Sequence, residues 1–212
     1  MKVLPDPTDS QLAFDESRHL YYLNGAPVPS VTAVLEDAGL IDYGFLGARR
    51  ELYLARGQAV HLATADDDHG SLAEDSVPPE IAEYLEAWRA FKRTYCFRPM
   101  LIEHRVSNPL YVYAGTLDRV GSIRDGTEIL VDIKTGVAPA WTAVQLAAYA
   151  ACLPHPRTRR RRCVELHRNG TYKVIPYETS HYQRDLDTFA RALETFRAKR
   201  RNDAGHDART RP

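Results

Sequence analysis

Apolar and polar positions along the chain change period several times, and the changes mark elements. Over residues 12–29 they alternate imperfectly through His19-Leu-Tyr-Tyr-Leu to Asn24-Gly25, and Asn-Gly between β-rich runs predicts an N-terminal hairpin. Ser30 stands as an N-cap before a helix over 31–40, and a longer helical segment covers 45–64, softened by Gly57. The acidic run Asp66-Asp67-Asp68-His69-Gly70 reads as a solvated loop. From Pro79 the residues Ile81, Tyr84, Leu85, Trp88 and Phe91 recur at helical spacing after a proline suited to a first turn.

Strand-like runs follow over 100–106, 110–123 and 128–134, the last two joined at Asp125-Gly126 as an antiparallel hairpin. Pro139 opens a helix to about 153. Runs over 164–167 and 172–177 flank Asn169-Gly170 as a second hairpin, and Ser180 with Gln183 caps a closing helix whose buried face carries Tyr182, Leu186, Phe189, Leu193 and Phe196. The order predicts an α/β fold, a small mixed sheet with helices on its faces. Residues 1–201 read as one domain and 202–212, without apolar periodicity, as a disordered tail.

Composition narrows the class. The 212 residues are 44% hydrophobic and carry 28 basic and 28 acidic side chains, which excludes whole-chain disorder and a uniformly basic, nucleic-acid-coating surface. Charge is unevenly spread: residues 151–212 hold 15 Lys and Arg against 7 Asp and Glu. Arg159, Arg160, Arg161 and Arg162 concentrate that excess and read either as phosphate contacts or as a solvated loop. No signal-like or membrane-spanning run is present, and Cys96, Cys152 and Cys163 form no C-x-x-C pair. A cytoplasmic protein without membrane contact, zinc or an iron–sulfur cluster is expected.

The chemistry concentrates in one hairpin. Within 128–134, Asp132 and Lys134 share a strand face while Ile129, Val131 and Ile133 share the other. A turn centred on Asp125 sets Asp118 across from Asp132 to within a residue. Two facing carboxylates raise each other's pKa unless a cation lies between them, and hard oxygen donors suit Mg²⁺ or Mn²⁺. Lys134 would then stand beside a metal-bound water, an arrangement fitted to attack on a phosphodiester. Taken alone, the Asp132/Lys134 spacing also fits a surface ion pair.

Five segments carry a resemblance. Gly115-Thr-Leu-Asp118, Asp132-Ile-Lys134-Thr-Gly, Gln145-Leu-Ala-Ala-Tyr149 and the upstream Gly57-Gln-Ala-Val-His61 resemble the motifs of the RecB-type branch of the PD-(D/E)XK nuclease superfamily. Tyr22-Leu-Asn-Gly-Ala-Pro-Val-Pro-Ser-Val-Thr32 is similar to the entry segment of phage-type and mitochondrial genome-maintenance exonucleases. The resemblance implies a restriction-endonuclease-like core and a metal-dependent DNA exonuclease of phage, recombination or repair type that leaves a 5′-phosphate. It implies Asp118 and Asp132 as metal carboxylates, the Ile133 carbonyl as a further ligand, Lys134 as the catalytic lysine and His61 as the residue completing the shell. Gln145 and Tyr149, one helical turn apart, would support the site or touch DNA, and Glu103 loosely matches an upstream acidic position.

Candidate DNA contacts are Ser30 and Thr32 at a helix start, Arg119 beside Asp118, and Arg159–Arg162. The expected partners are DNA ends and a recombination or single-strand-annealing protein. Leu117 replaces the motif's proline, and no four-cysteine cluster is present. The rival readings are an inactive nucleic-acid-binding module of the same fold and an endonuclease or flap nuclease. His61 also fits a satisfied helix histidine, Tyr149 a core residue, and Ser30 a simple cap.

Overall fold

The computed structural model describes residues 11–42 and 44–210. The first ten residues of the expected domain and the last two of the expected tail lie outside them.

Two sheets form. β1 (Leu12–Asp15), β2 (Leu20–Leu23) and β3 (Ala26–Val28) make an antiparallel meander, so the expected hairpin gains a third strand. Asn24 and Gly25 turn β2 into β3 with φ of 52° and 78°, the paired positive angles that a two-residue hairpin turn needs. The larger sheet runs β4 (Arg98–Asn108), β5 (Tyr113–Ser122), β6 (Glu128–Thr135), β7 (Arg160–Leu166) and β8 (Tyr172–Tyr177) in spatial order. Neighbours are antiparallel except β6 and β7, which are parallel and joined across α4 (Thr142–Ala150).

Helices cover both faces. Against one pack α1 (Val31–Asp37), α4 and α5 (Tyr182–Thr210), burying Val34, Leu146 and Phe189 onto Leu117 and Leu130. Against the other pack α2 (Arg50–His69) and α3 (Pro79–Tyr95), burying Val60, Trp88 and Phe91 onto Val131, Ile133 and Val164. Asp132 and Ile133 therefore belong to opposite faces, as the strand period requires. Among the described residues no helix is long and apolar enough to cross a membrane.

Several boundaries differ from the sequence expectation. α2 continues to His69 and ends on Gly70 at φ 71°, so Asp66–Asp68 are helical and not a loop. Carboxylates are unfavourable at a helix C-terminus, but here cations on facing elements neutralise two of them. Asp67 takes Lys92 at 2.6 Å and Arg89 at 2.7 Å, while Asp68 takes Lys92 at 2.6 Å and Arg119 at 2.7 Å. β7 begins at Arg160, several residues early, drawing the basic block into the sheet. Residues 202–210, expected as a tail, continue α5 in a stretch without proline.

Candidate metal centre and cleft

The C-terminal half of β6 ends in a cleft of about 610 Å³ between the small sheet, α2 and the start of α4. The hairpin ladder pairs Arg119 with Val131 and Val120 with Leu130, which is the register anticipated from the Asp125 turn, and it sets Asp118 beside the next step of β6. There the Ile133 backbone is held through both its polar groups. Its amide donates to Asp118 Oδ2 at 2.6 Å, and its carbonyl accepts from His61 Nε2 at 3.2 Å.

His61 reaches this carbonyl from α2, and its other nitrogen donates to Glu103 Oε1 at 3.3 Å and lies 3.8 Å from Asp118 Oδ1. Both ring nitrogens thus face acceptors, which only the imidazolium satisfies fully. Burial opposes that charge, but Asp118, together with the charge and hydrogen bond of Glu103, outweighs it and lifts His61 to about 9. Burial pushes Asp118 up to about 6; the His61 charge opposes the rise, while Asp132 and Glu103 add to it. Burial also works against ionised Glu103, yet its bonds to His61 and Arg119 hold it below the usual carboxylate range. Glu103 adopts φ 43° between the paired residues Ile102 and His104. A side chain in that region costs about 1–2 kcal/mol, and such strain gathers at functional sites.

Donor atoms of His61, Glu103 and Asp118 all lie within 4.8 Å of one another. Neighbouring donors around an octahedral ion with 2.1 Å bonds sit about 3 Å apart, so the spacing of these three groups suits a small divalent cation. Two carboxylates and a carbonyl favour Mg²⁺ or Mn²⁺, and the single imidazole tilts the set toward Mn²⁺. The structure brings together His61, Glu103, Asp118 and Ile133 from the expected ligands. Asp132 is set apart from them: 2% exposed, it grips Lys134 Nζ with its two oxygens at 2.7 and 3.0 Å and accepts from the Cys163 thiol at 3.8 Å.

Lys134 is kept charged. Burial opposes the ammonium, but Asp132 and Asp118 raise its pKa above the ordinary lysine value. Gln145 Oε1 lies 3.4 Å from Nζ, and Gln145 Nε2 donates to the Tyr149 hydroxyl at 3.4 Å. Gly115 makes room for that tyrosine, because a Cβ there would fall 2.7 Å from its ring. Trp141 was not among the sequence candidates, yet its ring lies 4.9 Å from Lys134 Nζ. The spacing 141, 145, 149 carries the signal, since successive i, i+4 positions share one helix face.

The expected DNA contacts divide. Ser30 and Thr32 line the cleft, and Ser30 Oγ also caps α1 by accepting from the Ala33 amide at 3.0 Å. Arg119 is not a DNA contact: its side chain is 0% exposed, bonded to Asp68, Glu103 and Thr64. Arg161 is likewise fully buried, bonded to Asp185 at 2.9 Å and to the Ala143 carbonyl at 2.8 Å. Both correct the sequence reading, and the reason is topological: each lies on a strand position that faces packed helices. Arg159 pairs with Glu128 at 3.1 Å, Arg162 is half-buried against the Arg161 carbonyl, and Arg160 is exposed. None of the four lines the cleft, because β7 pairs in parallel with β6 and sets Arg160 beside Ile129. Five residues of extended strand separate that end from Lys134, roughly 16 Å. The sequence matches no family model and no curated protein.

Proposed function

We propose that this chain is a metal-dependent deoxyribonuclease of the RecB-like PD-(D/E)XK type, acting on DNA ends. The observation that carries the reading is the cluster of His61, Glu103 and Asp118, whose donor atoms lie within 4.8 Å of one another beside the Ile133 backbone that His61 and Asp118 bond, with a charged lysine one residue further along the strand. Bound Mg²⁺ or Mn²⁺ would polarise a phosphodiester oxygen and lower the pKa of a water.

The chain's own residues do the rest. His61, Glu103, Asp118 and the Ile133 carbonyl would hold the cation. Lys134, steadied by Asp132 and Gln145, presents N–H donors to the attacking water and the developing phosphate charge, the kind of preorganised stabilisation that acts mainly in the transition state. Trp141 and Tyr149 restrict the room around the ammonium. Water's oxygen bonds to phosphorus as the P–O3′ bond breaks, so one product keeps a 5′-phosphate and the departing one ends in a 3′-hydroxyl that takes a proton from solvent.

The test is incubation with Mg²⁺ or Mn²⁺ and end-labelled linear, circular and single-stranded DNA. Metal-dependent loss of linear label with circles intact supports the reading; cleaved circles demote it to an endonuclease, and no cleavage of any substrate overturns it.

Proton linkage supplies an independent prediction. Ligation needs His61 neutral, so Mn²⁺ uptake below pH about 9 displaces the proton that the carboxylates stabilise. Mn²⁺ affinity should rise with pH through the window from 6.5 to about 9, and fall more steeply below about 6, where Asp118 also takes a proton. Metal-free stability should move the opposite way. His61 is raised from 6.5, so its contribution is complete below 6.5 and is lost as pH climbs toward 9. Calorimetric Mn²⁺ titration in buffers of different ionisation enthalpy should register release of about one proton per ion at pH 7.5. Zero release would remove His61 from the shell.

A further inference from the structure

Arg119 occupies a demanding position. Its guanidinium is 0% exposed, beneath the strand that carries Asp118, with its centre 5.6 Å from the Trp88 ring. Every nitrogen is bonded: Nε donates to Asp68 Oδ2 at 2.7 Å, Nη2 to Thr64 Oγ1 at 3.1 Å, and Nη1 to both Glu103 Oε1 at 2.8 Å and the Asp118 carbonyl at 2.7 Å. Asp68 is fixed in turn by Lys92 at 2.6 Å and by the Trp88 indole at 3.0 Å.

Folding alone gives little reason for this arginine. Burying a guanidinium is costly, and an apolar side chain of similar volume serves packing as well or better. Asp68 already has a counter-ion in Lys92. What Arg119 adds is a fixed donor under Glu103, whose side chain is 35% exposed and would otherwise sample several rotamers in the open cleft. The oxygen it holds, Oε1, is the one that faces His61.

We infer that Arg119 is a positioning residue for the cation site, locking Glu103 toward His61 and Asp118 and taking its own orientation from Asp68. This rests on the metal-dependent reading above. Only a planar fork can bond Asp68 and Glu103 in two directions at once; a lysine keeps the charge but offers a single point donor. Partners that orient a ligand in this way are worth about 10- to 100-fold in metal affinity.

The test is Mn²⁺ titration calorimetry on the wild type, Arg119→Lys, Glu103→Gln and the double variant, each shown folded by circular dichroism at the working temperature. Arg119→Lys should weaken Mn²⁺ binding about 10- to 100-fold when Glu103 is present and have no further effect once Glu103 is Gln. That dependence on Glu103 is what a merely structural role would not produce. Equal weakening in both backgrounds, or unchanged affinity in Arg119→Lys, overturns the inference. If Arg119→Lys does not fold, Asp68→Asn loosens the same fork from below and must show the same dependence on Glu103. A wild type that binds no Mn²⁺ defeats the metal-dependent reading and this inference together, whereas Mn²⁺ binding with additive losses defeats this inference alone.

Discussion

Lys134→Ala is expected to lose about 10²- to 10⁴-fold in cleavage rate, the range for removing a positioned donor or proton-transfer group, and to unfold at a lower temperature as well. The second effect follows from Asp132. That carboxylate is 2% exposed and has Lys134 as its counter-ion, so the substitution strands a buried charge beside the Cys163 thiol. Breaking a buried pair from one side costs about 3–5 kcal/mol. The two effects are separable. Adding Asp132→Asn to Lys134→Ala should restore most of the melting temperature and none of the activity. Circular dichroism melts and a gel assay at a temperature where all variants are folded provide the check. An active Lys134→Ala enzyme would remove the lysine from the mechanism. A double variant no more stable than the single would show that Asp132 is not the source of the instability.

Arg161→Met should destabilise the fold by about 3 kcal/mol while leaving DNA affinity per folded molecule unchanged. The guanidinium ties β7 to three other segments: the Ala143 carbonyl in α4, Asp185 in α5 and the Glu178 carbonyl ahead of α5. Asp185 is 4% exposed and would keep only Arg184, a largely solvated partner. Arg160→Ala, at the preceding residue of β7 but exposed, should stay within about 0.5 kcal/mol of the wild type. Urea titrations of the two variants decide the matter. Equal stability of Arg161→Met and wild type would show that the buried ion pair contributes nothing.

These contrasts show what was legible in the sequence. The β5–β6 register was readable because Asp125-Gly126 allows one tight turn, and a tight turn fixes every pair behind it. The same register already assigned Arg119: it lies opposite Val131, which packs against α2 and α3, so the arginine had to be buried. Arginine's usual place at the surface obscured that consequence. Arg161 was less accessible to such reasoning. It pairs with Leu130 in the parallel β6–β7 step, where an intervening helix, and no turn, sets the register.

Asp68 was hidden for a different reason. Three consecutive aspartates look alike in composition, and only the packing of α2 on α3 and β5 singles out the one that becomes fully buried. Glu103 gave a loose signal because its role depends on a backbone angle of 43°, which no residue pattern announces. His61, Asp118 and Lys134 were visible as residue types at the right spacing. The separation of Asp132 from the His61, Glu103 and Asp118 cluster was not, since it depends on which of two nearby groups the Lys134 ammonium reaches.

The Ile133 backbone gives the site an unusual mutational profile. Its amide holds Asp118 and its carbonyl meets His61, so the two central contacts are made by atoms that every residue except proline possesses in full. The Ile133 side chain points the other way, into the packing of α2 and α3. Replacement by valine or leucine therefore perturbs the interior while leaving the N–H and C=O that meet Asp118 and His61 in place, and proline alone deletes the N–H. A saturation scan that counts tolerated substitutions would score this position as ordinary core, although it sits at the geometric middle of the cleft's chemistry.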